Sequence, residues 1–108
     1  KKGGISLLYT PNVDSVGFDM LEEKNSLLCP PAHLYYFNKK SISNYGIRAG
    51  FKVVKVWTCG LDIGDLYSLS LKEKKVEVAS YLSDNQNWLQ HSIDKAGFGN
   101  HMRIILKK

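Results

Sequence analysis

Apolar residues fall along this chain in short runs and helical stripes, with glycine and proline marking the boundaries. Ile5-Ser6-Leu7-Leu8-Tyr9-Thr10 lies between Gly3-Gly4 and Pro11-Asn12, which reads as a buried strand. Pro11 has no amide hydrogen and ends that strand. The loop Asn12-Val13-Asp14-Ser15 supplies side-chain acceptors at a helix start, with Asp14 the favoured cap. A helix is expected over residues 16–23, with Phe18 and Leu21 inward. Pro30-Pro31 excludes a continuous helix through residues 26–37. Alternation there directs one of Tyr35 and Tyr36 to the core.

A second helix begins after Asn38, a good N-cap. Phe37 and Ile42 are spaced as a hydrophobic staple, and Ile42, Tyr45 and Ala49 share a helical face. Gly46 weakens this helix by roughly 1 kcal/mol relative to alanine. Gly50 provides its left-handed stop. Residues 52–59 are β-branched and read as a strand. Residues 60–84 are ambiguous: Asp65 can cap a helix over 66–74, and 76–82 fits strand, helix or loop. Trp88, Leu89, Ile93 and Ala96 form a last helical stripe that stops at Gly97. The turn Gly99-Asn100 leads into a final strand over residues 101–106. Ala-Gly-Phe occurs at 49–51 and 96–98, but the flanking residues do not repeat.

The 108 residues suit a single domain, 44% hydrophobic and 23% charged, so the composition is globular. No stretch approaches the roughly 18 apolar residues of a membrane span. The basic start Lys1-Lys2 has no apolar core behind it, so no signal peptide is read. Cys29 and Cys59 have neither CxxC nor zinc spacing and read as reduced thiols of a cytoplasmic protein. The net charge of +5 comes from lysines at the ends and in short clusters. Arginine, the usual base-reading side chain, occurs only at Arg48 and Arg103, which does not favour nucleic acid.

Four ordered phrases span nearly the whole chain: Gly3-Gly4 and the strand ending Thr10-Pro11-Asn12; Cys29-Pro30-Pro31-Ala32-His33-Leu34-Tyr35-Tyr36-Phe37; Ala49-Gly50-Phe51-Lys52-Val53-Val54-Lys55-Val56; and Gly99-Asn100-His101-Met102-Arg103. In this order they resemble the C-terminal half of class I S-adenosylmethionine-dependent methyltransferases of the broad bacterial small-molecule group. The resemblance implies an α/β fold with part of a Rossmann-like sheet. Its first strand would be the fifth of the full sheet and its second the sixth. The last would be the seventh, antiparallel between two outer strands that are parallel.

The cofactor of that family is S-adenosylmethionine, gripped by a glycine-rich loop and an acidic residue on the ribose. This chain has no GxGxG. The expectation is a single unit over residues 1–108, a fragment inactive alone, whose parent methylates a small-molecule acceptor. Its exposed strand edges would favour self-association. A non-enzymatic α/β interaction domain and a small basic nucleic-acid-binding domain are the other readings.

Ligands of open α/β sheets lie beyond the carboxyl ends of the strands. Thr10, Pro11 and Asn12 are therefore candidates for the floor of an acceptor pocket, though a strand-ending turn serves as well. His33 titrates near neutral pH and is the candidate general base or acceptor-orienting group; the alternative is a histidine bonded to backbone. Tyr35 and Tyr36 are candidate pocket walls. His91 reads as solvated and His101 as structural. No group of residues has metal-ligand spacing.

Overall fold

A computed structural model describes all 108 residues. The chain forms β1 (Ile5–Pro11), α1 (Val16–Leu21) with a 3-10 turn (Glu22–Lys24), α2 (Lys39–Arg48) and β2 (Lys52–Thr58). Then follow α3 (Asp62–Lys72), α4 (Val76–Asp84), α5 (Gln86–Ala96) and β3 (His101–Lys107). The architecture is α/β, one three-stranded sheet with five α-helices. No helix is long and apolar enough to cross a membrane.

The strand order is β1-β3-β2, and β3 pairs antiparallel with both neighbours. The expectation of parallel outer strands needs correction in detail. β1 and β2 each oppose β3, but they do not pair with each other, so every strand-to-strand ladder is antiparallel. The reason is positional: β3 occupies the inner edge of both.

Side chains alternate across a strand. On β3 that alternation buries Met102, Ile104 and Leu106. Ile42 of α2 closes over them, with Phe37, Phe51, Val53 and Val56 around it. The opposite sheet face is uncovered: Ile5, Leu7 and Tyr9 are 73%, 63% and 57% exposed. A register shift between Val53 and Lys55 leaves Val54 bulged on the β2 edge.

The caps explain several boundaries. Asn38 and Ser41 exchange side-chain-to-backbone bonds of 2.8 and 2.9 Å, a full capping box. Ser15, not Asp14, caps α1: its Oγ accepts from the Phe18 amide at 3.1 Å. Asp65 is no cap either, because α3 starts earlier, at Asp62. Residues 76–84, ambiguous in sequence, are helical.

Two helical stripes also need correction. On α2 the buried residues are Ile42 and Gly46, whereas Tyr45 and Ala49 are exposed. A Cβ at Gly46 would sit 3.0 Å from Leu106 Cδ2, so this glycine allows the helix to approach the sheet. On α5 no residue is fully buried, and Trp88 is 66% exposed.

Ile104→Ala should cost about 2–5 kcal/mol by emptying the centre of the only sheet-to-helix core. Trp88→Ala should cost no more than about 0.5 kcal/mol. Urea midpoints at unchanged slope check both, and a Trp88→Ala loss as large as that of Ile104→Ala would contradict the packing described.

Candidate functional site

Chemically capable side chains converge where β1 and β2 end and β3 begins. Asp62, Asn12 and Asn100 are fully buried there, and Thr58 nearly so. Buried polar groups must be hydrogen-bonded or they cost stability. These are: Asp62 Oδ1 accepts from the Gly17 amide at 2.7 Å, and Oδ2 from the Asn100 amide at 2.9 Å and Gln90 Nε2 at 3.0 Å. One carboxylate therefore joins α1, α3, α5 and the start of β3.

Around it, Gln90 Nε2 also donates to Asp94 Oδ1 at 3.1 Å, and the Gly60 amide donates to the same oxygen at 2.8 Å. Thr58 Oγ1 donates to the Asp94 carbonyl and accepts from the Gly99 amide. Asn12 donates its amide to the Asn100 carbonyl at 2.8 Å and its Nδ2 to the Gly99 carbonyl at 3.0 Å. The backbone must come very close at Gly60: a Cβ there would meet the Asp62 carboxylate and lie 2.6 Å from the Asn100 nitrogen.

The reactive groups sit beside this network. His101 stacks on Tyr9 with ring centroids 4.9 Å apart and planes 7° from parallel. The Arg103 guanidinium stands 5.6 Å from the Tyr9 ring. Burial pushes the His101 pKa below the ordinary histidine value; Asp62 and Asp65 oppose that shift, and the neighbouring His33 adds to it. Burial, with Asp62 next, holds Asp65 above the usual carboxylate value, against pulls from His101 and Asn100. Burial also raises the Cys59 thiol, with Arg103 opposing and Asp94 adding. Tyr9 is raised by burial and then by Cys59, with Arg103 opposing.

The sequence candidates are distributed unevenly about this site. Pro11 and Asn12 are buried within it, Pro11 paired opposite His101. Thr10 is half-buried and pairs with Met102, whose side chain is in the core. His33 is half-buried, edge-on to Tyr36 at 6.4 Å, and its amide bonds the Cys29 carbonyl at 3.4 Å. Tyr36 turns inward and donates to the Leu27 carbonyl at 3.2 Å, while Tyr35 is 77% exposed. Clefts of ≈ 490 and ≈ 500 Å³ lie between the α1 region and α3, lined by neither histidine. No group of three or more His, Cys, Asp or Glu is arranged to hold a metal.

Sequence reasoning passed over Asp62, placed Asn100 in a turn and read His101 as structural. Asp62 lay in the ambiguous stretch, and its role depends on contacts 28 to 45 residues away. The usable signal was Asn100-His101 directly after Gly99, two polar residues opening an otherwise apolar strand.

Asp62→Ala should cost about 3 kcal/mol or more, since it strands three buried or half-buried donors; a urea midpoint near that of the unaltered chain would contradict the network. A pH series should isolate His101. A depressed folded-state pKa means that its contribution is present above about pH 6.5 and is lost as pH falls through the folded value. Asp65, raised, runs the opposite way, weakening the fold as pH rises through its folded value. The stability difference between the unaltered chain and His101→Gln should therefore shrink on acidification, and a difference flat from pH 7 to 5 would refute the shift.

Compared with family models, curated proteins and solved structures, the chain matches none.

Proposed function

We propose that this chain is the C-terminal part of a class I S-adenosylmethionine-dependent methyltransferase domain, acting on a small-molecule acceptor within a longer polypeptide. The observation that carries the reading is the strand order β1-β3-β2, the last strand antiparallel between two others. The resemblance in sequence implies that insertion for the fifth, seventh and sixth strands of a Rossmann-like sheet. Two further observations support it. The carboxyl ends of β1 and β2 lie beside the buried polar cluster of Asn12, Thr58, Asp62 and Asn100 and the titratable ring of His101. β1 has a partner along one edge only, beside an uncovered apolar face suited to further strands and helices.

The residues present do not fit the cofactor. There is no GxGxG along the chain, and Asp62, the carboxylate bonded to the amide that opens β3, is fully buried with both oxygens bonded. A ribose needs an accessible acceptor, and close approach of the cofactor to a glycine-rich turn needs bare backbone. The chain's share of the function is therefore the acceptor side of the site, and alone it is inactive. A non-enzymatic interaction domain is the second reading, favoured by the exposed row Ile5, Leu7 and Tyr9.

Calorimetric titration with S-adenosylmethionine distinguishes the two readings. The 108-residue chain should give no binding heat, and a polypeptide extended upstream by about a hundred residues, a usual domain length, should bind. An extended polypeptide that does not bind overturns the methyltransferase reading. The free β1 edge also leads us to expect self-association of the 108-residue chain, seen as a concentration-dependent mass in light scattering. Leu7→Lys, an exposed charge beside that edge, should return it to monomer; a monomer at every concentration without the substitution would exclude edge pairing.

A further inference from the structure

His101 is held from two sides by groups whose chemistry leaves no ambiguity about its ring. The Asn100 amide cannot be flipped: its Oδ1 accepts from the Leu61 amide at 2.9 Å, and its Nδ2 donates to Asp65 Oδ2 at 3.1 Å. The same Oδ1 lies 2.9 Å from His101 Nδ1. An amide oxygen only accepts, so Nδ1 carries the hydrogen. The neutral ring then presents Nε2 as a bare acceptor. Stacking on Tyr9 at 7° fixes the plane in which that lone pair points. Asn25 Nδ2 is the only fully buried side-chain nitrogen or oxygen without a partner. Nε2 of His101 has no partner either, so it reaches the surface.

We propose that His101, not His33, is the proton-accepting group of this strand-end site, with Asn100 its positioning residue and a hydroxyl-bearing small molecule its ligand. The arrangement is that of a base oriented by a third group. The assignment of the ligand as methyl acceptor rests on the methyltransferase reading; the geometry of the base does not. A bare acceptor offers nothing to an anion, and Asp62 and Asp65 on α3 disfavour one. Arg103 on β3 disfavours an ammonium. A neutral hydroxyl brings the hydrogen that Nε2 lacks. The step is one proton transfer: the ligand O–H bond breaks, an N–H bond forms at Nε2, the oxygen keeps the electron pair, and the imidazolium keeps its Nδ1 bond to Asn100. The titratable groups around the ring are Tyr9 from β1, stacked on it, Asp62 and Asp65 from α3 and His33 from the proline loop, with Cys59 after β2 and Arg103 from β3 next to Tyr9. The two aspartates favour the imidazolium once formed, while burial keeps the resting ring neutral.

Two-bond proton–nitrogen NMR on the 108-residue chain at neutral pH tests the positioning. His101 should show a protonated Nδ1 and an unprotonated Nε2, and the opposite tautomer or an even mixture overturns the proposal. Asp65→Asn should keep that tautomer and move the His101 titration lower, because an acidic neighbour is lost; a rise would overturn it. Diethyl pyrocarbonate, which acylates unprotonated imidazole nitrogen, tests the free lone pair. Site-resolved mass spectrometry should find His101 modified with a pH midpoint below about 6.5, the ordinary histidine value. No modification of His101 at any pH overturns the accessible Nε2. Phenol should slow that modification and anisole, which has no hydroxyl hydrogen, should not; equal protection or none overturns the hydroxyl assignment. Failure of S-adenosylmethionine to bind the extended polypeptide would remove the methyltransferase reading while leaving each of these outcomes to decide His101 alone.

Discussion

A single buried carboxylate organises the end of this protein where β1 and β2 finish and β3 begins. Asp62 has no exposed surface, so each of its oxygens must be met by donors from within the chain. The donors come from three directions: the first turn of α1, the side chain of Gln90 on α5 and the amide that opens β3. The same requirement explains the backbone around it. Gly60 and Gly17 stand where any Cβ would strike the carboxylate or its partners, and Asp94 takes up the Gly60 amide left at the turn.

From that constraint follows the placement of β3. The strand enters beside Asp62 and runs back between β1 and β2, so its apolar side chains reach the centre of the core under Ile42. The fold is consequently lopsided. One face of the sheet has a helix closed down on it through the glycine notch at Gly46, and the other presents Ile5, Leu7 and Tyr9 to solvent. The α3–α5 segment hangs from the polar network more than from a hydrophobic core: among its apolar residues only Ile63 and Ala79 are buried. The strand-end polar cluster thus depends on hydrogen bonding, and the sheet core on packing. The same network fixes Asn100, and Asn100 fixes the ring of His101.

Local signals were legible wherever a short-range rule governs. The three strands, the Asn38 cap and the glycine stops at Gly50 and Gly97 follow from turn and capping chemistry acting within a few residues. The stripes on α2 and α5 misled because helical periodicity says which residues share a face and not whether another element covers it. Nothing covers Trp88, and the closest approach on α2 is made by a glycine that a hydrophobicity pattern ignores. The histidines show the same limit. His33 stands in a motif that local sequence makes conspicuous, whereas the environment of His101 comes from Asp62, Asp65 and Tyr9, residues far apart along the chain.

By itself, then, the sequence determined the kind and order of the elements outside residues 60–84, since strand, helix and turn preferences there are settled by neighbours a few residues apart. The resemblance also anticipated β3 between the other two strands; only the tertiary structure decided that Asp62 is buried where three elements meet, and that His101 is a ring held on one side by Asn100 and on another by Tyr9. Those outcomes depend on contacts between residues tens of positions apart, and on which face of each element finds a partner, quantities that no local spacing encodes.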